Sequence, residues 1–167
     1  MKPELESLFQ ILLAVSVHEL GHILCMRIFR VPPKSTSVRF WGIGINADFS
    51  HSSYACELAV YAAGSLCDLI MAVFLQGYPE YSFACIAYGV FNLLPAGFLD
   101  GGEILKILLS FTGISRYRVK KICECVTWAF CIMLWVISVY FALKGAGAAL
   151  LVSAVYMLGF CFLDGKG

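Results

Sequence analysis

Five consecutive residues, His18-Glu19-Leu20-Gly21-His22, combine two imidazoles with a carboxylate. On a helix the i, i+4 spacing puts both rings on one face, where they can grip the same ion. Glu19 then stands beside the metal, and the chemistry this arrangement supports is two His ligands plus a Glu acting as general base toward water. Taken alone, a pattern with three fixed letters is moderately specific. Its setting sharpens it, because it lies inside a long apolar run, 8–29. Two His and a Glu within a membrane helix carry a substantial insertion penalty unless something pairs with them. A divalent cation is a suitable partner; the competing reading is a structural polar cluster satisfied by neighbouring helices.

A catalytic zinc needs a third protein ligand and an open position for water. His51 lies in a loop that would have to fold deeply inward, so Asp100 is the better candidate. It sits where a third apolar run, 82–110, breaks at 95–102, and Gly101 and Gly102 behind it let the backbone approach closely. The other role open to Asp100 is a cap on the helix that starts near Gly101. Asp68, in the middle of an apolar run, must be protonated or partnered to be tolerated. Either it hydrogen-bonds a neighbouring helix or the backbone near Pro95, or it takes a direct part in metal binding or proton transfer. Asn92, one turn before the break, is placed to bond freed backbone or substrate. Glu57 and Glu103 lie near helix ends and read as solvated or capping groups.

The elements that must carry these residues are membrane helices. With 60% hydrophobic and 14% charged residues among 167, and a mean hydropathy of +0.84, the chain is far more apolar than a soluble domain. Apolar runs at 8–29, 55–75, 82–110 with its interruption, 122–143 and 146–163 predict five crossings. The fold class expected is an all-α polytopic membrane protein with a broken third helix. Between the first two crossings, strand-like residues at 37–49 with Gly42 and Gly44 predict a short membrane-associated β-hairpin. No repeat or linker divides the chain, so 1–167 reads as one domain, with a catalytic core at 5–111 and C-terminal helices at 122–163.

The first run resembles a signal peptide in length, but Glu4 and Glu6 beside its one early Lys, and the motif it carries, mark it as retained. Net charge is +1, which points away from a nucleic-acid partner. The basic residues gather instead beside membrane segments: Arg27, Arg30, Lys34 and Arg39, then Arg116, Arg118, Lys120 and Lys121. Both clusters fall on one side. The positive-inside rule makes that side cytoplasmic and puts the N-terminus outside. Eight cysteines (25, 56, 67, 85, 123, 125, 131 and 161) sit in or at the edges of apolar runs without Cys-x-x-Cys spacing and read as small buried hydrophobes. The aromatics Phe91, Trp128, Trp135 and Tyr140 read as lipid-facing or packing residues.

Two segments together, His18-Glu19-Leu20-Gly21-His22 and Asn92-Leu93-Leu94-Pro95-Ala96-Gly97-Phe98-Leu99-Asp100-Gly101-Gly102, resemble the paired signatures of the site-2 proteases. These are zinc metalloproteases that cut within or next to membrane segments, and the branch that processes a sporulation pro-sigma factor is the one most resembled. The resemblance covers about residues 11–110. It implies one Zn2+ per chain held by His18, His22 and Asp100, with Glu19 catalytic. It also implies a membrane-protein substrate, such as a membrane-associated pro-sigma or anti-sigma factor, a bacterial plasma membrane, and an active site toward the cytoplasm. The chain departs from the family pattern at Gly97 and Phe98, where prolines are common. It departs again at Ala63-Gly64-Ser65-Leu66-Cys67-Asp68, where Ala-Gly-Pro-x-x-Asn is common. A helical substrate must unwind before cleavage, and its extended segment could then pair with the edge of the 37–49 hairpin. The rival function classes are a divalent-metal transporter, which needs no general base, and an inactive membrane scaffold.

Overall fold

The computed structural model describes residues 3–39, 42–50, 52–145 and 155. Helix α1 (Pro3–Phe29) leads into a two-stranded antiparallel ribbon of β1 (Pro33–Arg39) and β2 (Gly42–Ala47). Four helices follow: α2 (Tyr54–Phe74), α3 (Pro79–Asn92), α4 (Asp100–Phe111) and α5 (Arg116–Leu143). The expected third crossing is thus two helices, α3 and α4, separated by residues 93–99. At 1.5 Å per residue they run only about 21 and 18 Å, so neither alone crosses a hydrocarbon core of about 30 Å. Three described helices are long and apolar enough to do so, over Leu5–Phe29, Tyr54–Phe74 and Arg116–Leu143. The run expected at 146–163, apart from residue 155, and His51 and Cys161 lie outside the described residues. The ribbon starts earlier than the 37–49 reading, at Pro33, with a register irregularity between Pro33 and Ser35. Proline, which has no N–H to give a ladder, is tolerated at such a first position.

Local chemistry sets the element ends. Helix α1 stops because Arg30 turns left-handed at φ 55°, and the Val31 N–H reaches back to the Met26 carbonyl at 2.9 Å. Val31 also packs on Met26, the apolar contact that accompanies this kind of helix end, and the prolines at 32 and 33 cannot continue the helix. Ser53 caps α2 by accepting from the Cys56 N–H, and Pro79 opens α3, where a missing N–H costs nothing.

Helix α2 packs against α1, α3 and α4. Ala14, Ala72 and Cys85 join α1, α2 and α3 at one level, and Met26, Val31 and Val60 join α1 to α2 at another. The rings of Tyr54 and Phe111 meet at 5.2 Å, so α2 and α4 run antiparallel from that contact. Helix α5 packs on the chain break: Phe130 is buried with Ala96 and Leu99, while Thr127 Oγ1 accepts the Gly97 N–H at 2.9 Å. Large apolar side chains point outward on every helix, among them Leu24, Phe74, Phe83, Leu108 and Ile132. So much exposed apolar surface belongs against lipid. No disulfide joins the described cysteines, and Cys85 and Cys131 are buried.

Candidate metal centre

The α1 motif aims His18 and His22 at α2 from successive turns. Nδ1 of His18 lies 2.8 Å from Asp68 Oδ2, and Nδ1 of His22 lies 2.8 Å from the Val60 carbonyl oxygen, both partners on α2. Carbonyl and carboxylate oxygens only accept, so each Nδ1 carries the proton and donates it. The other nitrogen of each neutral ring is then a bare lone pair. These two Nε2 atoms face each other at 3.1 Å, and Asp100 Oδ2 stands 2.9 Å from the first and 3.0 Å from the second.

With both rings neutral, three acceptor atoms in a triangle of 2.9 to 3.1 Å repel one another unless a proton or a metal ion lies among them. Donors bound tetrahedrally at about 2.0–2.1 Å stand roughly 3.3 Å apart, so the triangle fits one ion of zinc size. His18, His22 and Asp100 are also the described residues whose ligand atoms cluster closely enough to share a metal. The site is sheltered: His18 is 2% exposed, and its ring meets Tyr88 edge-on at 5.1 Å.

Asp100 reaches the triangle from the first residue of α4. It does not cap that helix; the N-cap position is Leu99, which makes no side-chain cap bond. Instead the break is held by short local bonds, Ala96 N–H to Leu94 O and Leu99 N–H to Ala96 O, both 2.8 Å. Gly101 makes this turn possible, since a Cβ there would stand 2.1 Å from the Leu93 carbonyl oxygen.

The structure therefore brings His18, His22 and Asp100 together and adds Asp68 behind His18. Asp68 does not reach toward Pro95. Glu19 is half-buried on α1, next to His18 in the chain. Asn92 does not enter the triangle; its amide donates to the Tyr88 carbonyl one turn back in α3, a backbone group of an intact helix. Glu103 pairs with Lys106 at 3.0 Å. Two contributors are not among the expected site residues. One is the Val60 carbonyl. The other is Gly64, where a Cβ would come within 2.5 Å of His22 Nε2 and 2.7 Å of His18 Nε2.

The profile of "Peptidase family M50" matches residues 80–134, which include α4, most of α3 and the first two-thirds of α5, and hence Asp100 but not the two histidines. Among solved structures the chain is similar to "Site-2 Protease from Methanocaldococcus jannaschii". The TM-score is 0.71 and identity 21%, over 93% of this chain and 75% of that one, a likeness of fold. No curated protein matches the sequence.

Proposed function

We infer from the M50 match and the shared fold that the chain is a membrane metalloprotease of the site-2 protease family, and we propose on that premise that it hydrolyses peptide bonds within or next to membrane segments of protein substrates. The observation that carries this reading is the triangle formed by Nε2 of His18, Nε2 of His22 and Oδ2 of Asp100, built inside an apolar bundle. In the proposal these three residues hold one Zn2+. When bound, the zinc polarises the scissile carbonyl and makes a nearby water more acidic.

The remaining work falls to the chain. Glu19, beside His18, takes a proton from the attacking water and returns it to the leaving amine. The Asp68 and Val60 hydrogen bonds hold the two rings in the tautomer that leaves Nε2 free. In the proposal the interrupted stretch 93–99 forms one wall of the polar channel that brings water to the site, irregular backbone at membrane depth being tolerated beside water or protein. An unwound substrate strand pairs with the edge of the β1–β2 ribbon.

The proposed topology puts the basic ends of α1 and α5 on the cytoplasmic side and the N-terminus outside. The Tyr54–Phe111 contact supports a shared side, since it joins the start of α2 to the end of α4. A pro-sigma or anti-sigma factor in a bacterial plasma membrane is the proposed kind of substrate.

Metal content of detergent-purified protein tests the reading without knowing the substrate. Wild type should hold one zinc per chain, His22→Ala and Asp100→Ala should hold none, and Glu19→Gln should hold as much as wild type. Folded wild type without zinc, or zinc retained in Asp100→Ala, would refute the site.

A further inference from the structure

We propose that Asp68 is the positioning residue of the metal centre, its buried carboxylate fixing the ring of His18 and strengthening it as a ligand. The proposal rests on the reading of His18, His22 and Asp100 as the zinc ligands.

The two histidines are held differently. Nδ1–H of His22 donates to a neutral backbone carbonyl, whereas Nδ1–H of His18 donates to a carboxylate at 2.8 Å. A carboxylate partner pulls the ring proton toward itself and leaves more electron density on Nε2, the atom facing Asp100. Charge points the same way. Two neutral imidazoles and one carboxylate leave a dication with a net charge of +1, which the buried Asp68 carboxylate offsets together with that of Glu19, and this matters where uncompensated charge is costly.

Nothing else in the surroundings explains a carboxylate at this position. Asp68 is fully buried, and its Oδ1 and the neighbouring buried Ser65 Oγ have no hydrogen-bond partner among the described residues. The only described group that answers Asp68 is His18. Helix α3 closes over it at Gly89, where a Cβ would stand 2.9 Å from the Asp68 Cβ, so the pair is sealed from solvent. A similar bond from an asparagine amide oxygen would orient the ring equally well but would supply no charge. That difference separates an electrostatic role from a merely structural one.

The test compares zinc dissociation constants, by competition with a chromophoric chelator, for detergent-purified wild type, Asp68→Asn, Asp68→Ala and His22→Ala. It adds the visible spectrum of each cobalt(II)-loaded protein. Asp68→Ala should weaken zinc binding about 10- to 100-fold and Asp68→Asn about tenfold, with cobalt bands displaced in both. Asp68→Asn binding zinc within about twofold of wild type, with an unchanged cobalt spectrum, would overturn the role of Asp68 alone. If Asp68→Ala does not fold, Asp68→Asn decides, being of nearly equal volume. Absence of zinc from wild type, or wild-type affinity in His22→Ala, would instead overturn the metal reading and the Asp68 role with it; those two proteins keep Asp68, so the two failures are told apart.

Discussion

A methyl group on Gly64 would stand 2.5 Å from Nε2 of His22, so the α2 backbone itself forms one wall of the donor triangle. The only side chain that leaves room there is hydrogen. Gly64→Ala should therefore push the two imidazoles apart and abolish zinc retention, while the protein still inserts and purifies as a helical monodisperse species. Metal analysis together with circular dichroism checks this. Normal zinc content in Gly64→Ala would mean that the helices can separate freely at the site.

Glu19→Gln keeps the size and position of the side chain but removes the base. Peptide cleavage should fall by at least about 100-fold with zinc content unchanged. A dye-labelled unfolded protein serves as the substrate in detergent. A metal transporter has no need of that base, so ion flux into proteoliposomes that persists in Glu19→Gln, with no cleavage by wild type, would favour transport.

Thr127 ties α5 to the chain break by accepting the Gly97 N–H and donating to the Cys123 carbonyl at 2.7 Å. Thr127→Val preserves shape and removes the partner of the exposed Gly97 N–H, which should cost about 0.5–1.5 kcal/mol. Thr127→Ser should behave as wild type. Thermal unfolding in detergent distinguishes them, and equal midpoints for all three proteins would show that the bond contributes nothing.

Paired positions Val38 and Ile43 lie near the end of the β1–β2 ribbon. Proline at either removes an N–H from the ribbon. Both variants should keep zinc and lose cleavage if substrate is held by strand addition. Unchanged cleavage in Val38→Pro and Ile43→Pro would remove the ribbon from the mechanism.

Much of the site is readable along the chain, because its signals are local. The spacing of His18 and His22 fixes their common face, and Pro95 with Gly101 and Gly102 marks an interruption that must hold something polar at Asp100. Asp68 is conspicuous as a carboxylate in an apolar run, yet its partner is not. The bond to His18 joins residues 50 apart and depends on which turn of α2 faces α1. The Val60 carbonyl is silent, and Gly64 keeps the glycine of the Ala-Gly-Pro-x-x-Asn pattern without showing what it faces, for the same reason: helix packing, not composition, brings them to the imidazoles. Asn92 shows the converse, a residue with motif value whose side chain is satisfied within its own helix. The extent of the ribbon is also set by pairing, which is why it begins at Pro33, before the strand-like composition does.

The distance along the chain between the parts of the triangle governs the order in which the site is assembled. His18 precedes Asp68 by 50 residues and Asp100 by 82. A ribosome therefore delivers α1 to the bilayer with its imidazoles unaccompanied, α2 next supplies both ring partners, and α4 closes the triangle last. A nascent fragment released before α4 lacks the third donor and has no means of keeping an ion there. On the proposed function, hydrolytic power is withheld from incomplete chains, and insertion of the later helices takes the place of the propeptide removal by which a soluble protease matures.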